Sequence, residues 1–322
     1  MRRPKILVVG SFVMDLIVRS SRFVGAGETI LGLDYQTASG GKGANQAVQA
    51  ARLGAEVTML GKVGDDAFGR EMIASLREAG VNVDKVIATK EAPSAVGNVQ
   101  IQENESGTQN RIVVVPGANM SLRVEEVAFL EKEIQAYDMV MMQLEIPMAV
   151  NEAVARYAHA AHVPVMLNPA PSAPLSPQLL QQIAYLSPNE HEAADLVGFE
   201  VKREEACRKA MEALRGRGVQ NVLITRGEEG SAYSGADQVL FSPCVRCGHV
   251  ADPTAAGDSF VAAFCVAICA GLPAGDALTF ASHTACITVS RMGAQPSLPT
   301  LAEVWEQMEQ KQVKMDAFAA LR

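Results

Sequence analysis

Aromatic rings are scarce in this chain: 5% of its 322 residues are aromatic, with 1 Trp, 5 Tyr and 10 Phe. Cysteine is scarce too, at six, and most of the six sit in apolar surroundings such as Cys265, Cys269 and Cys286. That usage excludes a disulfide-dense scaffold and points to a reducing, cytoplasmic setting. Cys244 and Cys247 form one CxxC with His249 nearby, but a structural zinc site needs four ligands and no second pair stands at a suitable spacing. Basic charge is in deficit, 28 Lys and Arg against 36 Asp and Glu for a net charge of −8, so nucleic acid is not an expected partner. Long apolar runs are lacking as well. The longest uncharged stretch, 259 to 275, contains Pro273 and falls short of the ~20 residues that span a bilayer, so no membrane segment is expected. Arg2, Arg3 and Lys5 ahead of an apolar run imitate a signal peptide, but Asp15 interrupts that run and no small-residue cleavage site follows.

What is abundant is small and aliphatic. Hydrophobic residues make up 48% of the chain, supplied by Ala, Val, Leu, Ile and 14 Met, and 26 Gly are spread along its length. Short apolar runs at Lys5 to Gly10, Glu56 to Val63, Asp138 to Leu144, Val163 to Asn168, Ile183 to Ser187 and Val219 to Thr225 read as strands. Helical patterns stand between them at Gly43 to Leu53, Phe68 to Ala79, Met148 to His162, Glu190 to Val197 and Lys202 to Arg215. Two small-residue helices, Asp258 to Ala270 and Asp276 to Arg291, and a charged one around Trp305 close the sequence. Strands alternating with helices predict an α/β fold with a mainly parallel sheet covered on both faces.

Two segments break the rhythm. Residues 16–39 and 94–116 read as polar-faced hairpins, the second around the turn-like Glu105-Ser106-Gly107. Their shared character predicts one small β lid, built from two insertions into a single α/β domain that spans residues 1–322.

The first strand ends in Gly10-Ser11-Phe12-Val13-Met14-Asp15, which lacks the later glycines of a dinucleotide fingerprint, and no GxxxxGK[ST] loop occurs anywhere. The best anion site is Ala255-Ala256-Gly257-Asp258, where backbone amides open a helix and its dipole favours negative charge. These residues alone leave open whether Asp258 caps that helix or does chemistry. Gly40-Gly41-Lys42-Gly43-Ala44-Asn45 is a second glycine-rich turn before a helix. Asp15 and Glu145 are carboxylates at the C-terminal edge of the sheet, where open α/β folds bind ligands. Each carboxylate taken singly also reads as a solvated loop charge.

In this order the pieces are specific. The sequence resembles the ribokinase family of sugar kinases, also called the PfkB carbohydrate kinases, over nearly the whole chain, and sits nearest its ribokinase and deoxyribokinase branches. The N-terminal signature looks like Gly40 to Ala47 and the C-terminal one like Asp252-Pro253-Thr254-Ala255-Ala256-Gly257-Asp258-Ser259-Phe260. Between and after them come Met142-Gln143-Leu144-Glu145, Leu167-Asn168-Pro169-Ala170-Pro171, Ser187-Pro188-Asn189-Glu190-His191-Glu192, Ile224-Thr225-Arg226-Gly227 and Gly293-Ala294-Gln295-Pro296-Ser297.

The resemblance implies a three-layer αβα sandwich with a β lid, and ATP-dependent phosphorylation of a pentose 5-hydroxyl. Ribose is the first candidate and 2-deoxyribose the second, a nucleoside the third; a non-catalytic sugar or nucleotide sensor is the reading from another class. By similarity Asp258 is the general base, with the amides of Ala256 and Gly257 as the anion hole. Asp15, Gly41, Lys42, Asn45 and Glu145 match sugar-binding positions. Asn189 and Glu192 match a motif for magnesium and phosphate that works largely through water. Thr225, Gly227 and Gly230 resemble the nucleotide loop, and His283 lies near the adenine-side position. An activating potassium ion would be held mostly by carbonyls at Asp252, Thr254, Thr288, Arg291, Gly293 and Ser297. Val13 departs from the pattern, since ribokinases have an asparagine there; Asn98 in the lid is expected to restore the lost amide from the other side of the pocket. Lid-to-lid contact implies a homodimer.

Overall fold

The apolar run at the start forms β1 (Lys5–Val9), whose alternate side chains enter two different cores: Ile6 and Val8 pack on one face of the sheet, Leu7 and Val9 on the other. The computed structural model describes residues 2–104, 107–236 and 238–321. Glu105 and Ser106 of the expected lid turn lie outside the described residues.

In chain order the elements are β1, β2 (Val13–Ser20), β3 (Asp34–Gly40), α1 (Lys42–Arg52), β4 (Glu56–Gly64), α2 (Ala67–Glu78), β5 (Asn82–Thr89), β6 (Val96–Asn104) and β7 (Gly107–Val115). After them come the single turns α3 (Val124–Val127) and α4 (Leu130–Glu133), then β8 (Met139–Gln143), α5 (Met148–Ala160), β9 (Val165–Asn168), α6 (Pro177–Gln182), β10 (Tyr185–Leu186), α7 (Glu190–Val197) and α8 (Glu204–Gly216). The chain closes with β11 (Asn221–Thr225), β12 (Ser231–Ser234), β13 (Val239–Ser242), α9 (Ala256–Cys269), α10 (Ala274–Val289) and α11 (Leu301–Gln310).

A nine-stranded sheet runs β13-β12-β11-β10-β9-β8-β1-β4-β5 and is parallel from β11 to β5; only β12 and β13 pair antiparallel. Residues of α1, α2, α9, α10 and α11 share one buried cluster with one face of this sheet, while α5 to α8 fill a cluster on the other. This is the expected three-layer α/β arrangement. β5, β12 and β13 are additions to the sequence reading: polar residues interleave β5 and small ones fill β12, so neither carries an apolar run.

A separate four-stranded sheet runs β3-β2-β6-β7. Its two hairpins come from the two stretches that broke the sequence rhythm, and they join through a parallel β2–β6 pairing, Met14 opposite Val96. Among the described residues no helix is long and apolar enough to cross a membrane. One disulfide, Cys247–Cys286, ties the loop ahead of α9 to α10, with Cα atoms 5.5 Å apart. A reducing setting predicts thiols here; the two stand 39 positions apart along the chain and packing brings them together. Cys207, Cys244, Cys265 and Cys269 are free thiols.

Candidate active site

The polar residues gather where the parallel strands end. β1 passes into β2 through Phe12, whose backbone is clamped at both ends by one side chain: its N–H donates to Asn119 Oδ1 at 3.0 Å and its carbonyl accepts from Asn119 Nδ2 at 2.7 Å. That bend leaves Ser11 facing the start of α1. The Ser11 hydroxyl donates to Glu145 and accepts from the Gly43 amide at 3.3 Å, while the Lys42 amide donates to Glu145 Oε2 at 3.0 Å. A carboxylate at a helix N-terminus satisfies otherwise unpaired donors. Glu145 thus caps α1 from a neighbouring strand end. Gly41 precedes the helix with φ +95°, and a Cβ there would stand 2.7 Å from the Val13 amide, so the turn requires glycine.

α1 lies buried against α9. Across that contact Asn45 Nδ2 donates to Asp258 Oδ2 at 2.9 Å and Gln46 Nε2 to Asp258 Oδ1 at 3.0 Å. Ala255, at φ +61°, turns the chain into the first turn of α9 and aims Asp258 at α1. The Ala256 amide is not available to an anion: it donates to the Pro253 carbonyl at 3.2 Å, closing the turn before the helix. This corrects the expected anion hole. Among the described residues the amides of Gly257 and Asp258 find no backbone acceptor, and the space beside Gly257 is open. Among the described residues these two amides remain as the donors at the start of α9.

A cavity of about 230 Å³ opens in front of Asp258, lined among others by Lys42, Asn168, Ser187, Asn189, Glu192, Thr225 and Gly257. Burial works against the Lys42 charge, but Asp258, Glu145 and Glu192 surround the ammonium and hold it above its ordinary value. Burial lifts the Glu192 carboxyl, against the opposing pull of the Asn189 amide and Lys42. Asn189 and Glu192 form a reciprocal cap on α7: Asn189 Oδ1 accepts the Glu192 amide and Glu192 Oε2 accepts the Asn189 amide, both at 2.8 Å. One oxygen of Glu192 stays outside that cap. Among the described residues no group of three or more His, Cys, Asp or Glu could hold a metal. A water-shelled magnesium beside Glu192 fits these donors; an all-protein cage does not.

Asp15 and Val13 face the same side of the smaller sheet, against Gly97. Burial, and then the Glu145 charge, push the Asp15 carboxyl up to about 6. Asn98 does not join them. It pairs with Leu16, one residue on from the Asp15–Gly97 pair, so it projects from the opposite face and is exposed. The expected compensation between Val13 and Asn98 is corrected on that ground.

Of the residues expected on the nucleotide side, Thr225 lines the cavity, while Gly227 and Gly230 shape the β11–β12 turn. His283 is not brought to the cavity: it is buried, and its Nδ1 meets Gln307 Oε1 of α11 at 3.0 Å. Of the positions expected to hold potassium, Asp252, Thr254 and Gly293 are joined to one another. Asp252 accepts the amides of Thr254 and Gly293, each at 2.9 Å, joining the loop before α9 to the loop after α10. Thr288 lies in the last turn of α10, and the Arg291 side chain turns away to Glu303 at 2.6 Å. Ser297 folds back on the Ala294 carbonyl at 2.7 Å. A helix C-terminus beside a carboxylate is a donor set that suits a monovalent cation.

Gln46, Gln143 and Asn168 appear in the sequence motifs without any role assigned to them, and Gly97 went unremarked. Their signal was being polar, or lacking a side chain, at positions patterned as buried.

A model of the pfkB family of carbohydrate kinases matches residues 3–301. The Bacillus subtilis ribokinase is 40% identical over 301 residues, covering 94% of this chain and 98% of that protein. The solved Arabidopsis thaliana ribokinase, in complex with ribose and ATP, superposes with a TM-score of 0.88 at 33% identity, covering 96% of this chain and 99% of the other. A Methanocaldococcus jannaschii nucleoside kinase superposes with a TM-score of 0.78 at 25% identity, covering 96% and 99%.

Proposed function

The chain belongs to the pfkB family of carbohydrate kinases, and from that premise we propose that it transfers the γ-phosphoryl group of ATP to the 5-hydroxyl of D-ribose, giving ribose 5-phosphate and ADP. The observation that carries this reading is the Asp258 carboxylate, held by Asn45 and Gln46 beside the open Gly257 amide at the mouth of a polar cavity.

The chemistry follows from that placement. Asp258 accepts the 5-hydroxyl proton as the oxygen attacks phosphorus. The amides of Gly257 and Asp258, at the positive end of α9, receive the charge that develops on the phosphoryl oxygens. Lys42 adds a second positive charge close by. A magnesium ion, when bound with ATP near Glu192, supplies further charge neutralisation. Asp15 and Glu145 accept hydroxyls of the sugar, and positioning does the rest, since phosphoryl transfer has a loose transition state. The chain acts as one kinase unit with the smaller sheet as its lid. Tyr35, Leu33 and Val113, exposed at 60%, 66% and 64%, give that lid an apolar surface for a second copy. Potassium at the Asp252 cluster activates the enzyme, and the setting is cytoplasmic.

Val13 favours a second reading, 2-deoxyribose as the preferred sugar, because no amide there meets a sugar hydroxyl. ADP release measured with ribose, 2-deoxyribose, other pentoses, fructose and nucleosides separates these substrates. Asp258→Ala is the control: near-normal turnover in that variant would overturn the mechanism, and binding without turnover in the wild type would mark a sensor.

A further inference from the structure

Behind Asp258 lies a row of amides whose direction is fixed from its far end. Gln46 and Gln143 are both 0% exposed. Gln143 Nε2 donates to Gln46 Oε1 at 2.6 Å, and Gln46 Nε2 donates to Asp258 Oδ1 at 3.0 Å. An amide pair of this kind could in principle run either way, with every oxygen and nitrogen exchanged. Here it cannot. Asn168 Nδ2 donates to the Ser187 backbone carbonyl at 2.8 Å, which only accepts, so Asn168 must turn its Oδ1 toward Gln46 Nε2, 3.4 Å away. Gln46 therefore faces two acceptors with its nitrogen, and its oxygen is left for Gln143.

Gln143 gains its room from Gly10: its Oε1 lies 2.1 Å from where a Cβ at position 10 would stand. That same oxygen is buried and has no hydrogen-bond partner among the described residues. An unpaired buried acceptor costs about 1–3 kcal/mol. The reversed orientation would put this oxygen on Gln46 but leave the Gln143 amide nitrogen unpaired in its place, and it would bring Gln46 Oε1 against Asp258 and Asn168. Only the Gln46 end therefore sets the direction.

We propose that Gln46 is a positioning residue for phosphoryl transfer: a one-directional amide relay from Gln143 through Gln46, polarised by Asn168 and the Ser187 carbonyl, fixes the aim of the Asp258 carboxylate as a proton acceptor. The proposal rests on the reading of Asp258 as the base. The relay leaves each carboxylate oxygen with one amide donor and with lone pairs to spare for the sugar hydroxyl. The charged groups that also act on this site are Lys42 from α1, Glu145 after β8, Glu192 from α7 and Asp15 from β2. Among the described residues none of them hydrogen-bonds to a relay amide.

The test measures kcat and both KM values of the full chain for Gln46→Met, Gln46→Glu, Gln143→Met and Asp258→Ala, with melting curves to establish folding. Gln46→Met keeps the length and removes the donor; its kcat is expected to fall ~10- to 100-fold, as for a misaimed catalytic group, with both KM values within about twofold of wild type. Gln46→Glu, which turns an oxygen toward Asp258, falls further still. Gln143→Met weakens the same relay one link away and gives a smaller fall of the same kind, and it carries the test if Gln46→Met does not fold. A kcat within about twofold of wild type in a folded Gln46→Met, or kcat and both KM values worsening together, overturns the proposal. If Asp258→Ala abolishes turnover while Gln46→Met does not change it, the relay alone is wrong. If Asp258→Ala turns over normally, the assignment of the base is wrong and the relay falls with it.

Discussion

Asp15 and Gly97 stand opposite each other on neighbouring strands of the smaller sheet, and one carboxylate oxygen fills the space where a side chain at position 97 would begin: a Cβ there would lie 2.3 Å from Asp15 Oδ1. Gly40 closes the other side, its Cβ position 3.0 Å from Asp15 Oδ2. This half-buried carboxylate, seated between two bare Cα atoms, takes on both sides the room that the absent side chains leave.

Gly97→Ala is expected to displace Asp15 and so weaken sugar binding. The KM for the sugar should rise at least ~10-fold, the order of one lost charge-assisted hydrogen bond, with the KM for ATP unchanged. Steady-state kinetics with each substrate varied in turn checks this. An unaltered sugar KM would mean that Asp15 does not hold the substrate.

Asp15 also makes stability depend on pH. Below the ordinary aspartate value, about 4, the group is protonated in both folded and unfolded chains and contributes nothing. As pH rises from there to the folded value of about 6, the unfolded chain loses its proton first, so stability falls, and above about 6 the loss is complete. Its size is on the order of 1–3 kcal/mol, from about 1.4 kcal/mol per pKa unit. Asp15→Asn should therefore melt a few degrees higher than wild type at pH 7.5 and show little gain at pH 4, while losing sugar affinity. Equal gains at both pH values would contradict an uncompensated charge at Asp15.

Val13→Asn places an amide on the face shared with Asp15. It should raise kcat/KM for ribose relative to 2-deoxyribose by ~5- to 100-fold, the worth of one hydrogen bond to a buried hydroxyl. Asn98→Ala, on the opposite face, should leave that ratio within about twofold. A competition assay with both sugars reads both variants; a shift in Asn98→Ala alone would reverse the assignment of faces.

Asp252 holds two loops whose carbonyls would surround a cation. Activity with magnesium should be several-fold higher in potassium than in a bulky organic cation, and Asp252→Ala should abolish that difference. Indifference of the wild type to the monovalent ion would remove potassium from the scheme.

The large sheet was readable because β1, β4, β8, β9 and β11 are near-continuous apolar runs, as strands buried on both faces must be. The smaller sheet was readable as two interruptions of that rhythm. Asp258, Asn45 and Glu145 stood out through motif spacing. The purpose of Gln46 did not, because it depends on partners 97 and 212 residues away in sequence, Gln143 and Asp258. Asn98 was misplaced for a simpler reason: a strand reverses its face at every residue, so an error of one in register moves a side chain out of the pocket. The Ala256 amide was lost to a turn closed by Pro253, which spacing alone does not reveal.

The parallel β2–β6 pairing also bears on how the molecule folds. It starts at Met14 opposite Val96, so closing the smaller sheet brings together strands separated by α1, β4, α2 and β5. Such non-local pairing is slow, because loop closure comes before any contact rewards it. The sheet also leaves Tyr35, Ile112 and Val114 exposed and has little core of its own. It is therefore the last unit to assemble and the first to open, and amide hydrogens in β2, β3, β6 and β7 should exchange well ahead of those in β1 and β8.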